Sequence, residues 1–256
     1  MLTRNKCEFI TKWIRDYAES ASKNCLVVGI SGGVDSSLVS VLCAKTGIRT
    51  KVVNLPIHQR DDLNELSKLH ARWLCSKYSN VEYVEIDLST CYDALCGAFE
   101  SQDNSELSLA NSKSRLRMIA LYQLSCNSNG IVVGTGNKVE DFGVGFFTKY
   151  GDGGVDISPI ADLYKTEVWE CARELGVSQE ILEAPPTDGL WSDGRTDEQQ
   201  IGASYEELEW VMKNSHLSAS EVPISKKTAY LAYSRFHKAN KHKMNPIPVC
   251  VIPNDV

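Results

Sequence analysis

Residues 25–37 read CLVVGISGGVDSS, and this stretch constrains the chain more than any other. Leu26 to Ile30 is a short apolar run rich in β-branched residues, the pattern of a strand buried on both faces. Ser31-Gly32-Gly33 breaks the run, and Leu38, Val39 and Leu42 begin a helical pattern directly after it. A strand, a glycine turn and a helix N-terminus in that order make an anion site. Free backbone N–H groups and the positive end of the helix dipole face whatever sits in the turn. Gly32 and Gly33 let the backbone approach a phosphate with no Cβ in the way. Ser31, Ser36 and Ser37 add hydroxyl donors, and Asp35 offers a hard oxygen suited to Mg2+. A Walker loop needs G-x-x-x-x-G-K-[ST], and no such string occurs.

Further strands are predicted over Arg49 to Leu55, Val81 to Leu88 and Ile131 to Val133, with helices between them. The helices are expected over 3–21, from the turn to about Lys45 with Gly47 as cap, and over 61–78 and 107–125. Later ones are expected over Lys165 to Leu175, Tyr205 to Met212 and Lys226 to Ala239. This alternation predicts an α/β fold, a doubly wound parallel sheet with right-handed crossovers and helices on both faces. Ligands bind such sheets beyond the carboxyl ends of the strands, at the topological switch point, so the Thr135 loop should lie beside the Ser31 turn. Glu100 to Glu106 reads as a polar, mobile loop, Gly143 to Gly154 as a glycine-rich segment, and Ala184 to Gln200 as a second long loop carrying Pro185-Pro186. The tail from Met244, with three prolines, is expected to be extended. One domain over residues 1–256 accommodates all of this.

A net charge of −6 argues against non-specific nucleic-acid binding, which needs a basic face. No run of 18 apolar residues occurs, which excludes a hydrophobic membrane-spanning helix. The N-terminal stretch, with Phe9, Ile10, Trp13, Ile14 and Tyr17 on one face, reads as an amphipathic helix rather than a signal peptide. Nine cysteines without a C-x-x-C, with Cys25, Cys43, Cys75, Cys126 and Cys171 on apolar faces, read as the reduced packing thiols of a cytoplasmic protein. His58, His70, His216 and His237 lack metal-ligand spacing and receive no role.

The turn resembles the SGGxDS pyrophosphate loop of the ATP pyrophosphatases. Residues 132–165 read VVGTGNKVEDFGVGFFTKYGDGGVDISPIADLYK, and residues 111–118 read NSKSRLRM. Together these strings resemble the ammonia-dependent NAD+ synthetases over about residues 5 to 248. The resemblance implies a Rossmann-like sheet of the adenine nucleotide alpha hydrolase type. It also implies amidation of deamido-NAD+ (nicotinic acid adenine dinucleotide) by ammonia, with ATP as co-substrate and Mg2+. The carboxylate is a poor acyl donor until adenylation supplies AMP as leaving group, and positioning and charge neutralisation then carry the catalysis. A homodimer with the substrate where the subunits meet, and a cytoplasmic enzyme with no nucleic-acid or membrane partner, complete what it implies.

Residue by residue, the resemblance implies ATP contacts at Gly29, Ile30, Ser31, Gly32, Gly33, Val34, Asp35, Ser36, Thr135, Lys165 and Thr187. Asp35 and Glu140 match the Mg2+ ligands, and Lys165 would neutralise phosphate charge in the transition state. Arg115, Lys149, Asp156, His242 and Lys243 match the contacts to deamido-NAD+. Four departures stand out. Asn54 replaces a frequent arginine, Ser114 precedes Arg115 where alanine is usual, Met244 replaces an arginine, and the loop from Thr135 to Lys149 is one residue longer than in some members. Met118, Leu121 and Tyr122 on the 107–125 helix are expected to form the dimer stripe, with Arg115 on the other face.

Two other readings compete. Another enzyme of this fold, a tRNA thiolase or GMP synthetase, would need a cysteine pair with a basic face, or added dimerisation and glutaminase segments. A non-enzymatic nucleotide sensor would not need Asp35, Glu140 and Lys165 together. The nitrogen donor is expected to be free ammonia, because no cysteine stands beside an activating histidine and no segment remains for a glutaminase core.

Overall fold

The computed structural model describes residues 1–59, 61–99, 105–187 and 195–253, with the side chains of 61–63 outside that description. Strands β1 (Cys25–Gly29), β2 (Arg49–Asn54), β3 (Val81–Glu85) and β4 (Gly130–Val132) pair in parallel in the order β3-β2-β1-β4. The chain passes from β1 outward to β3 and then returns to the other side of β1. The switch point therefore lies at the carboxyl end of β1, where the glycine turn begins.

The helices are α1 (Leu2–Ser20), α2 (Val34–Lys45), α3 (Asp61–Lys77), α4 (Ser89–Ala98) and α5 (Glu106–Asn127). After β4 come α6 (Lys165–Glu174), α7 (Gln179–Glu183), α8 (Asp197–Ile201), α9 (Tyr205–Lys213) and α10 (Lys227–Met244). Along β1 the side chains alternate between two cores, as the period of two requires. Leu26 and Val28 join Ile14, Leu38, Leu42, Val168 and Ala172 on one face. Cys25 and Val27 join Val53, Leu55, Tyr92 and the Leu121 side of α5 on the other. α2 lies inside the first core and is buried from Ser36 to Ala44, with Ser36, Ser37 and Ser40 bonded to backbone carbonyls, so it carries no one-sided apolar stripe. A third cluster joins Val139, Val144, Tyr205, Leu208, Val211 and Ala229, so α9 and α10 pack on the segment after β4 rather than on the sheet.

Several expectations change. The third strand ends at Glu85 rather than Leu88, because the Asp87 carboxylate accepts from Ser89 N and turns the chain into α4, a helix the sequence reading missed. The 184–200 segment ends in α8, started by Thr196, whose hydroxyl accepts from Gln199 N at 3.2 Å. The 106-side end of the expected 100–106 loop is the Ser105 cap of α5, and residues 100–104 and 188–194 lie outside the described residues. α10 continues past the expected end at Ala239, so His242 and Lys243 occupy its last turn. Cys75 and Cys126 are exposed, against the expectation of packing thiols, because they sit on the outer faces of α3 and α5. Nor is the Met118–Leu121–Tyr122 stripe free for a partner. Leu121 packs on Gly29, and the Tyr122 hydroxyl donates to Asp156 Oδ1 at 3.0 Å.

Candidate active site

The turn after β1 is held by its own hydroxyls. Ser31 N and Gly33 N donate to Ser36 Oγ and Ser31 Oγ at 3.2 and 3.3 Å, and Ser36 and Ser37 both donate to Gly33 O. Gly32 has φ +87°, a left-handed conformation that a Cβ would strain. Gly33 starts α2 with no side-chain cap, so the first N–H groups of the helix face outward with the positive end of its dipole. They open into a cavity of about 270 Å³ lined by the turn, Thr135, Gly136, Asp152 and Thr187. The two loops expected to meet at the switch point do meet.

At the foot of this cavity lies a cluster of charge. Lys165 is the first residue of α6, where Tyr164 N donates to Glu167 Oε2 at 2.9 Å and fixes the helix start. Its side chain is 2% exposed, and Nζ donates to Asp35 Oδ2 and, at 2.8 Å, to Glu140 Oε1. Burial alone would lower the Lys165 pKa, but the two carboxylates outweigh it and hold the ammonium charged well above its ordinary value. Burial and the charge of Glu140 raise Asp35, while Glu140, also pushed up by burial, is held below its usual range by Lys165 and Tyr205.

Both carboxylates have further anchors that the sequence reading missed. Asn137, fully buried, donates Nδ2–H to Asp35 Oδ1 at 2.9 Å and accepts from Val139 N and Glu140 N at 3.0 and 3.1 Å. Tyr205 lies 2.6 Å from Glu140 Oε1 and 3.2 Å from Asp197 Oδ2 through its hydroxyl. Asn137 caps a π-helix, Lys138–Val144, that Gly145 closes at φ +67°. The π-helix is a wider turn than an α-helix and lies within the Thr135–Lys149 segment. It aims Glu140 and Asp141 together at the cavity. Asp141 is raised well above the carboxylate range by burial and by Asp152, Glu140 and Asp35.

Asp152, also missed, is exposed to the cavity, while the protein packed around its carboxylate raises its pKa. Its Oδ1 accepts from Ser114 Oγ and Thr148 N at 2.7 and 2.9 Å, while its own N–H donates to Ser114 Oγ. The Ser114 departure thus places a hydroxyl under Asp152. Asn54, the other departure near the cavity, is buried and donates to Asn64 Oδ1 at 2.7 Å.

The remaining sequence-predicted residues divide. Gly29 to Ser36, Thr135, Glu140, Lys165 and Thr187 line one cavity; the Thr187 hydroxyl donates to Arg195 O at 3.2 Å. Arg115, Lys149, Asp156, His242 and Lys243 do not line it. Lys149 and Lys243 donate across to His242 O and Phe147 O, which gathers Lys149, His242 and Lys243 at the end of α10. Asp156 Oδ2 accepts from Val132 N at 2.7 Å on the edge of β4. Arg115 is exposed on α5, and it is Arg117, two residues on, that faces the cavity, with Nε donating to Leu55 O at 3.0 Å.

A family model described as NAD synthase matches residues 6–246. A relative named NH(3)-dependent NAD(+) synthetase, from Finegoldia magna, is 39% identical over 90% of this chain and 92% of its own. Among solved structures, an NMN synthetase from Francisella tularensis superposes with TM-score 0.86 at 29% identity, covering 98% of both chains. An NH3-dependent NAD synthetase from Campylobacter jejuni superposes with TM-score 0.78 at 24% identity over 98% of this chain and 100% of its own, a likeness of fold.

Proposed function

The chain belongs to the NAD synthase family, and we propose that the cavity at the end of β1 is where its carboxylate substrate is adenylated and then amidated. The reaction joins ammonia to the nicotinate carboxylate of deamido-NAD+ at the expense of ATP. An acyl-adenylate forms, and NAD+, AMP and pyrophosphate leave. The single observation that carries the site assignment is the Lys165 ammonium held between Asp35 and Glu140 beside an uncapped helix start.

The turn from Ser31 to Ser36 binds the phosphates through backbone N–H and hydroxyl groups. Asp35 and Glu140 fit Mg2+ in kind, being hard oxygens already gathered around one cation. No cluster of three or more ligating side chains occurs among the described residues, so phosphates and water would complete the shell. When bound, Mg2+ would neutralise the phosphates against the incoming carboxylate. Lys165 then adds its charge to the departing pyrophosphate, and Thr135 and Thr187 contribute hydroxyls from the cavity wall. Ammonium must lose a proton before it attacks, and of the two cavity carboxylates outside the Lys165 cluster that are held above their usual range, Asp141 and Asp152, the more exposed Asp152 is the base we assign.

A homodimer in the cytoplasm, built from one domain per chain, is the assembly this reading favours. Exposed Leu107, Arg115 and Ile119 on α5 support such an interface, with Arg115, Lys149, Asp156, His242 and Lys243 serving a dinucleotide outside the cavity. No helix among the described residues is long and apolar enough to cross a membrane.

One likeness favours a second substrate: the structure with TM-score 0.86 at 29% identity is that of an NMN synthetase. Nicotinate mononucleotide presents the same carboxylate to the same cavity. Purified protein with ATP, Mg2+ and ammonium should be offered deamido-NAD+ and nicotinate mononucleotide separately. The ratio of kcat/KM values decides between them, and no amide from either acid defeats the reading.

A further inference from the structure

The arrangement around Lys165 has a consequence for the order in which the site fills. Two carboxylates side by side repel, and each is desolvated, so the pair persists only around a cation. Here the cation belongs to the chain. Lys165 Nζ takes one oxygen from Asp35 and one from Glu140, at 2% side-chain exposure, with the carboxylates at 17% and 16%. Neither carboxylate is free to swing away. Asn137 holds the second oxygen of Asp35 and caps the turn that carries Glu140, and Tyr205, 1% exposed, holds the same Glu140 oxygen as Lys165.

We infer that Asn137 and Tyr205 are positioning residues of a preformed two-carboxylate cradle in which the Lys165 ammonium stands in for the divalent cation until a nucleotide arrives with it. A divalent ion alone would have to displace a buried ammonium and leave it beside a second positive charge. Nucleotide phosphates remove that obstacle, because they give the displaced ammonium a new anionic partner within the same cavity. The inference rests on the reading of Asp35 and Glu140 as metal carboxylates, and it adds an order: metal and nucleotide enter together, and Lys165 is released onto phosphate by that entry.

The test follows Mn2+ binding by the electron paramagnetic resonance of the free ion, with no turnover involved. Wild-type protein should bind Mn2+ weakly alone and tightly with a non-hydrolysable ATP analogue. Lys165→Met should bind Mn2+ without nucleotide on the order of tenfold or more tighter than wild type, since the cradle is then vacated. Tyr205→Phe placed in the Lys165→Met background should lose part of that gain, and Glu140→Gln should lose most of it. Equal affinity of wild type and Lys165→Met for Mn2+ alone overturns the inference. Nucleotide-dependent Mn2+ binding that survives intact in both Asp35→Asn and Glu140→Gln overturns the metal reading beneath it. Should Lys165→Met not fold, the wild type carries the test through the 15N resonance of the Lys165 ammonium, assigned by its absence in Lys165→Arg. That signal should ignore Mg2+ alone and shift when Mg2+ and the ATP analogue are added together; a shift with Mg2+ alone overturns the inference.

Discussion

Asp35 and Glu140 share the buried Lys165 ammonium, so removing the charge of either should stop chemistry and lower stability, while the other carboxylate still holds Lys165 and keeps the chain folded. Asp35→Asn and Glu140→Gln are each expected to lose NAD+ formation by two orders of magnitude or more, by roughly the weight of one positioned charge. Wild-type turnover by either, at limiting Mg2+, sinks the metal assignment. Asp152 separates the half-reactions: Asp152→Asn should retain substrate-dependent exchange of pyrophosphate into ATP while amide formation falls about 100-fold or more. Equal loss of both would assign Asp152 to the fold. His70, given no role from spacing, is a buried stabiliser whose Nε2 lies 2.8 Å from Ser40 Oγ. Burial pushes its pKa down to about 4. With a folded value below the unfolded one of about 6.5, the unfolded chain binds the extra proton, so stability falls as pH drops through that window. From pH 7 to 5 the loss attributable to His70 is about 2 kcal/mol, and urea melts should show that drop shrinking in His70→Gln.

At the scale of elements, the π-helix Lys138–Val144 carries the decisive arrangement. Its wide turn ends at Gly145, where φ is +67° and a Cβ would stand 2.5 Å from Asn240 Cβ on α10. Gly145→Ala should therefore strain the backbone and lift α10, at a cost of about 2–3 kcal/mol. Because the strain is transmitted to Glu140, the Mg2+ concentration for half-maximal rate should rise with it. A lowered melting temperature with unchanged Mg2+ dependence would show that the turn and the carboxylate are independent. The strands and most helices were legible because apolar spacing reports burial, as in β1 and α2. α4 was not, since its sequence buries only Tyr92 and carries no strong stripe. Nor was the π-helix, because VEDFGV has the glycine and charge of a loop. Its wider hydrogen bonding depends on Asn137 from one side and α9 and α10 from the other.

At the scale of the whole molecule, the proposed self-association is placed on the exposed face of α5. Ile119 is 58% exposed in the middle of that helix, so Ile119→Asp should convert a dimer to a monomer in sedimentation equilibrium and weaken substrate affinity with it. A wild-type chain that is monomeric at micromolar concentration and fully active would defeat the proposed assembly. The nitrogen donor is testable on the same preparation. With ammonium fixed, the rate should climb as pH rises above neutral, since free ammonia is the attacking species. Glutamine freed of contaminating ammonia should support no synthesis, and efficient glutamine-driven turnover would reject the ammonia reading.

The sequence by itself determined the parallel α/β frame, the glycine turn after β1 and the family chemistry. Those follow from local facts: β-branched runs make strands, glycines permit close approach, and SGGVDSS together with FFTKYGDGG carries functional groups at short range. Only the tertiary structure decided how groups distant in the chain combine. Asp35, Glu140, Lys165 and Tyr205 come from four separate elements, and their spacing in sequence contains no distance in space. Arg115 and Arg117 are two residues apart on one helix, and the roughly 200° turn between them sends one to solvent and the other to the cavity. Asn137 and Tyr205 could not be picked out beforehand, because a buried amide or phenol becomes a positioning group only through the partners that packing brings to it.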